Sequence, residues 1–255
     1  MREKPSLVAL AIHATAEEAA AEAAARVIAA LRARPVLVLG LATGGTMRPF
    51  HAALARLHRR EKVSFARATI FNLDDHVGLP ADHPQSFRRF MRETLFDHID
   101  ADPARCFMPD GLAEDLDVEA AAYELRIAAA GGIDLQILGL GRNGHIAYNE
   151  PGSSLASRTR AVQLAPETVA LAAPAFAPGP APRRGLTMGV GTILEARRII
   201  LLASGADKAQ AVANALAPPP RTACPASALQ RHRDALFCLD AAAAAELPES
   251  AAERG

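Results

Sequence analysis

Six apolar runs recur along the chain, and none alternates with polar residues in the way a strand with one wet face does. They are LVALAI (7–12), VLVLGL (36–41), RATIFNL (67–73), IDLQILGL (133–140), RIILLAS (198–204) and ALFCLD (235–240). A strand that is apolar at nearly every position must be covered on both faces, which is the condition of a parallel sheet between two layers of helices. Helical stretches do stand between the runs. One opens at Thr15, where Glu18 three residues on completes a capping box, and others are MRPFHAALARLHRR from Met47, SFRRFMRETLFDHI (86–99) and VEAAAYELRIAAA (118–130). The expected fold is α/β: a doubly wound, mostly parallel sheet with helices on both faces, Rossmann-like. A chain of 255 residues, half of them hydrophobic, can build one such core, so residues 1–255 are read as a single domain.

Two segments interrupt the alternation. LAAPAFAPGPAPRR (171–184) carries four prolines and a glycine, which argues against a helix or a central strand and predicts a surface flap. APPPRTACP (217–225) is a second proline-rich connector, and the chain is expected to fray after about residue 247. Charge is balanced, 28 basic against 28 acidic residues, so the field that holds polyanions is missing. Nucleic acid and anionic membranes are not expected partners. Cys106, Cys224 and Cys238 are odd in number, far apart and without a CxxC pair. They fit core thiols of a reducing cytoplasm rather than disulfides or a metal site, and no metal or cofactor is expected. The apolar run at Leu7–Ile12 is too short for a signal or a membrane span. The first strand begins by residue 7, which leaves no room for a DNA-binding module ahead of it.

In open parallel sheets ligands bind beyond the carboxyl ends of the strands, and the unusual polar clusters of this sequence fall there. ATGGT (42–46) follows one strand and opens a helix, so that Gly44 and Gly45 let backbone amides approach an anion; read alone, it is equally an ordinary glycine turn. Asp74 and Asp75 follow the next strand, and neighbours on extended chain point to opposite faces, so one of the two can face a pocket. GRNGHIAYNEP (141–151) gathers Asn143, His145 and Glu150, in which an amide and a carboxylate can fix an imidazole that exchanges protons near neutrality. Alone, His145 reads more readily as a structural hydrogen-bonder. Lysine is rare here, with Lys4, Lys62 and Lys208 the three in the chain, and Lys208 follows a strand in GADKA.

The segments GLATGGT (40–46), FNLDDHVGLPADHPQSFRRFM (71–91), GLGRNGHIAYNEPGSSLASRTR (139–160), LTMGVGTILEA (186–196), GADKA (205–209) and PASALQRH (225–232) resemble, in order and spacing, the glucosamine-6-phosphate deaminase (isomerase) family. The related 6-phosphogluconolactonases share the glycine turn but typically run GHTASLFP where this chain has GHIAYNEP. The resemblance implies conversion of glucosamine 6-phosphate and water to fructose 6-phosphate and ammonia, without metal or cofactor, by a cytoplasmic enzyme whose partner is a small amino sugar phosphate. It implies that Asp74 takes the C2 proton and returns it at C1, that His145 opens the pyranose ring, and that Asn143 and Glu150 support His145. It also implies that Thr43, Gly44, Gly45, Thr46 and Lys208 cradle the sugar phosphate.

Departures from the family pattern carry their own expectations. Asn143 stands where aspartate often occurs; an amide can orient His145 but cannot stabilise its cation by charge. His76 stands where tyrosine is common. Pro174 occupies the place of an arginine that reaches the phosphate, and losing a hydrogen bond to a charged group weakens binding by about one to two decades. Arg183 or Arg184, on the same flap, is the expected replacement, and a different amino sugar, such as galactosamine 6-phosphate or an unphosphorylated one, stays open. Hexameric relatives bind an acetylated activator between subunits. Ser153 and Arg160 match that site and Val162 does not, so unactivated kinetics are expected, with a homo-oligomer left open. The competing readings are a lactonase-like hydrolase and a non-catalytic sugar-phosphate binder.

Overall fold

The computed structural model describes residues 8–248. Leu7, and all but the first residue of the tail expected to fray, lie outside them. In chain order the elements are β1 (Ala9–His13), α1 (Ala16–Ala33), β2 (Val38–Leu41), α2 (Met47–Glu61), β3 (Thr69–Asn72), β4 (Asp74–His76), α3 (Phe87–Thr94), β5 (Cys106–Phe107), α4 (Leu116–Ala129) and β6 (Leu135–Gly139). There follow β7 (Arg160–Gln163), α5 (Pro166–Phe176), β8 (Arg184–Thr187), α6 (Val190–Leu194), β9 (Arg198–Ala203), α7 (Ala209–Leu216) and β10 (Ala235–Asp240).

Seven strands form one sheet in the order β1-β10-β9-β6-β2-β3-β5, and every pairing in it is parallel. All six apolar runs enter it. In β2 and β10 each residue is buried, and since successive side chains point to opposite faces, both faces are covered by protein. The first run behaves differently because β1 is an edge strand, and only Leu10 of its five residues is fully buried. Helix α1 packs on β1, β9, β10 and α2 through an alanine-rich face that includes Ala19, Ala20, Ala23, Ala24, Val27 and Leu31. Its amino end is capped as the sequence predicts, with Glu18 N–H donating to Thr15 Oγ1 at 3.2 Å. The Glu18 carboxylate, however, accepts from Ala14 N–H at 3.0 Å, one residue earlier than a capping box requires.

The winding reverses at the centre of the sheet. From β2 the chain moves outward through β3 to β5, then returns to β6 on the other side of β2 and continues through β9 to β10. The loops after β2 and β6 therefore diverge and leave a crevice at the carboxyl edge, the usual ligand site of such sheets.

Two features differ from the sequence expectation. A second, three-stranded antiparallel sheet, β4-β8-β7, is built beyond the carboxyl edge of the first, with Asp74 paired to Thr187 and Arg160 also paired to Thr187. Its strands are three or four residues long, too short to register as periodic pattern. The proline-rich segment is not one continuous flap: its first part completes helix α5, with Pro174 inside the last turn, and its end enters β8 at Arg184. Proline breaks a helix by removing one amide and crowding the preceding turn. In the last turn little helix remains to be disrupted, and Pro166 opens the same helix at a position where its fixed φ helps.

Tyr123, fully buried on α4, fastens the point where the two sheets meet. Its hydroxyl donates to the Asn72 carbonyl at 2.7 Å and lies 3.2 Å from the Phe107 carbonyl, joining the ends of β3 and β5. Tyr123→Phe leaves both carbonyls short of a donor, and a loss of about 1–2 kcal/mol of unfolding free energy is expected in urea titrations. An unchanged midpoint would show that the hydroxyl does not hold this junction.

Candidate active site

A cavity of about 230 Å³ opens at the winding reversal. Its lining brings together Thr43, Gly44, Gly45 and Thr46 from the β2–α2 turn, Asp74 from β4, His145 and Tyr148 from the loop after β6, and Lys208 from the turn after β9. Tyr148 was not singled out in the sequence, and neither were Arg142, Phe87 at the start of α3, and Leu171 of α5, which also line the cavity. Asn143 and Glu150 are not in the lining and stand behind His145. Arg183 and Arg184 are exposed at the approach to β8 and do not reach the cavity, so the expected replacement for the missing arginine is not delivered by this segment.

Asp74 sits where the chain leaves the main sheet. Leu73 N–H donates to the Leu41 carbonyl at 3.2 Å, Met188 N–H donates to the Leu73 carbonyl at 2.7 Å, and the next residue begins β4. The side chain is 6% exposed, and among the described residues no donor reaches its carboxylate. Burial pushes its pKa up to about 8, and the adjacent Asp75 carboxylate adds to the effect. Asp75 points away, as alternation on extended chain requires. Its Oδ1 accepts from His76 N–H at 2.8 Å, and burial raises its pKa to about 6 against the pull of that bond and of the Arg88 charge. His76 is buried against Phe87, with ring centroids 4.5 Å apart, and lies within 3.2 Å of the Tyr148 hydroxyl. Burial and the nearby His83 lower its pKa to about 4, so it packs as a neutral ring behind the cavity wall.

His145 is set by its own loop. Gly141 N–H donates to the His145 carbonyl at 2.9 Å, and the ring lies so close over Gly141 that a Cβ there would come within 2.3 Å of it. Asn143 bridges the two partners: its Oδ1 accepts from His145 N–H at 3.2 Å while its amide donates to Glu150 Oε2 at 2.8 Å. His145 Nδ1 lies 3.2 Å from the same Glu150 oxygen, at an angle too oblique for an aligned hydrogen bond. Burial alone would raise the Glu150 pKa; the His145 ring, the Thr168 hydroxyl and the Asn143 amide overcome it and hold the group down at about 2. Glu150 is thus a fixed anion beside the imidazole. Thr168 Oγ1 donates to Glu150 Oε1 at 2.5 Å and lies on α5, so the proline-containing helix is tied directly to this group. Ala147, also in the lining, has a φ of 49°, a strained value for a residue with a side chain.

The β2–α2 turn and Lys208 supply another part of the lining. Gly44 has a φ of 99°, which only glycine adopts without strain, and α2 opens after it with no side-chain cap on its first turn. The first-turn amides of α2 are already used, with Met47 and Arg48 donating to the Gly44 and Gly45 carbonyls at 3.0 and 3.2 Å and Pro49 having none. The amides left for a negative group are those of Gly44, Gly45 and Thr46, which have no acceptor among the described residues. Lys208 follows Gly205, whose amide donates to both carboxylate oxygens of Asp240 at the end of β10, at 3.1 and 3.0 Å. Burial lowers the Lys208 pKa.

The fold and cavity define a doubly wound α/β protein with an aspartate and a histidine in the lining of a crevice that also holds a glycine turn and a lysine. Residues 12–238 match the family of glucosamine-6-phosphate isomerases and 6-phosphogluconolactonases, and the chain belongs to it. Over 236 residues it is 48% identical to a glucosamine-6-phosphate deaminase of Rhodopirellula baltica, covering 92% of this chain and 94% of that one. A Clostridium perfringens glucosamine-6-phosphate deaminase is 43% identical over 229 residues, covering 89% and 95%. Among solved structures, a monomeric glucosamine-6-phosphate deaminase superposes with a TM-score of 0.91 at 42% identity, covering 94% of this chain and 100% of that one. The 6-phosphogluconolactonase of Trypanosoma brucei gives 0.74 at 25% identity, covering 96% and 99%.

The raised pKa of Asp74 has a stability consequence of fixed sign. Between its ordinary value of 3.8 and about 8 the folded chain holds a proton that the unfolded chain has released, so this group's contribution to stability is lost as pH rises through that window. Asp74→Asn lacks the titration. Relative to wild type it is expected to gain on the order of a few kcal/mol between pH 4 and pH 8 in urea unfolding. Parallel pH profiles for the two proteins would contradict the shift.

Proposed function

We propose that this chain is an amino-sugar-phosphate deaminase that converts glucosamine 6-phosphate and water to fructose 6-phosphate and ammonia in the cytoplasm. The reading is carried by one observation: a buried carboxylate without a donor and an imidazole braced by a fixed carboxylate line the same cavity as an uncapped glycine turn and a lysine. The high identity to deaminases supports the same choice.

In the proposed reaction the phosphate docks on the turn Thr43–Thr46 and Lys208, which supplies binding energy that orients the reacting carbons. His145 takes the proton of the anomeric hydroxyl and delivers one to the ring oxygen, opening the pyranose to the aldehyde. Glu150 and Asn143 act as positioning residues, one by charge and one by orientation. Asp74 then removes the C2 proton; the C2–H electrons form a C1–C2 double bond and the aldehyde oxygen, taking a proton from the C2 ammonium, becomes an enol hydroxyl. Return of the proton to C1 gives a ketose imine. Water adds at C2, ammonia departs, and the ketone remains. Each step is a proton transfer, addition of water or loss of ammonia, within reach of these side chains. Asp74 must be ionised to act, and a substrate ammonium at C2 stabilises the carboxylate once it binds beside it.

An ammonia-release assay across glucosamine 6-phosphate, galactosamine 6-phosphate and their unphosphorylated forms tests the reading. The expected result is fastest turnover of glucosamine 6-phosphate, with Asp74→Asn slower by at least about 100-fold, the usual contribution of a positioned base. A wild-type protein that hydrolyses a sugar lactone and releases no ammonia from any of the four would place the chain with the lactonases instead.

A further inference from the structure

We infer that Arg142 is a phosphate-binding residue of this site, acting with Lys208 as a two-cation clamp; the inference rests on the proposed function and names the group that holds its substrate's anionic end. Arg142 and Lys208 are the permanently basic side chains among the described residues that line the cavity, and they come from different loops, one after β6 and one after β9. Asp207, immediately before Lys208, joins them: its Oδ2 accepts from Arg142 Nε at 2.6 Å.

The way that contact is made matters more than its presence. The bond uses Nε, at the root of the guanidinium, and both terminal amino groups of Arg142 have no acceptor among the described residues. A guanidinium tethered in this way keeps its fork free, and two parallel N–H donors match two oxygens of a phosphate. Lys208 supplies a point charge beside it. After burial, which lowers the Lys208 pKa most, the Asp207 carboxylate raises it and the Arg142 charge lowers it, so both groups lie within electrostatic range of the ammonium. Two cations stand near one carboxylate, and one positive charge is left over at a cavity to which the glycine turn contributes amides without an acceptor among the described residues. A phosphate dianion offsets that surplus and leaves further negative charge for the turn amides to hold. Asp207 is then the positioning residue for Arg142.

A merely structural role for Arg142 makes a different forecast. Its side chain and that of Asp207 are 59% and 43% exposed, and an ion pair of that kind contributes little to stability. Removing it would leave binding of phosphate unaltered.

The test titrates the full chain by calorimetry with inorganic phosphate and with glucosamine 6-phosphate, comparing wild type, Arg142→Met and Arg142→Lys, and measures ammonia kinetics on the same samples. Arg142→Met is expected to raise both dissociation constants, and the KM, by about ten-fold or more, the effect of one lost hydrogen bond to a charged group. Arg142→Lys is expected to recover part of the affinity, and turnover of unphosphorylated glucosamine is expected to be insensitive to either change. The inference is overturned if Arg142→Met binds both ligands within about two-fold of wild type, if the loss is as large for unphosphorylated glucosamine, or if wild type binds neither phosphate compound. Wild type that binds phosphate through Arg142 but releases no ammonia would sink the deaminase reading and leave this one standing. Normal ammonia release with unchanged binding by Arg142→Met would do the reverse.

Discussion

A carboxylate placed in a nearly dry position with nothing to neutralise it is the constraint on which the rest of this structure turns. Asp74 is 6% exposed, stands next to a second carboxylate, and receives no hydrogen bond among the described residues. Desolvating a carboxyl costs free energy, which is why its pKa is driven up to about 8. Surrounding structure must therefore hold it there. The main sheet ends one residue before it, a short antiparallel pairing with Thr187 begins at it, and Tyr123 secures the strand end that precedes it. A base whose proton affinity is high and whose position is fixed suits removal of a proton from carbon, a step that needs both.

The second sheet explains how distant segments share one cavity. Strands β4, β7 and β8 lie beyond the edge where the winding reverses, and their residues connect to the His145 loop, with Tyr148 N–H donating to Thr187 Oγ1 at 3.1 Å. Asn149 extends the linkage by donating to the Met188 carbonyl at 2.8 Å. Glu150 follows directly and takes the Thr168 hydroxyl from α5. Helix α5 is thereby tied to the carboxylate beside His145, and Leu171 from the same helix lines the cavity. Helix α5, Glu150, Asn143 and the His145 main chain are joined by an unbroken run of hydrogen bonds.

Much of this was legible in the sequence because burial on both faces leaves a direct mark. The six apolar runs all became strands of the parallel sheet, and the turn ATGGT, Asp74, His145 and Lys208 all line the cavity, since in a parallel sheet every strand's carboxyl end faces the same edge. What was not legible depends on contacts between residues far apart in the chain. Strands of three and four residues leave no periodic signal, so the small sheet was invisible. Proline statistics argued against a helix at Pro174, yet a proline in a final turn disturbs too little to end it. Arg142 looked like one more arginine in an arginine-rich chain. Nothing in GRNGH states that Asp207, 65 residues on, will hold it at the cavity.

The claim at the centre is that one hexose phosphate touches Asp74, His145 and the glycine turn together. A crystal structure of the complex with the reduced, open-chain amino alditol 6-phosphate addresses it directly. The expected result places an Asp74 carboxylate oxygen within about 3.5 Å of C1 or C2, the His145 ring beside the C5 oxygen, and the phosphate on the Thr43–Thr46 amides and Lys208. A ligand bound with its phosphate elsewhere, or with C2 beyond reach of Asp74 while the phosphate is seated, would contradict it.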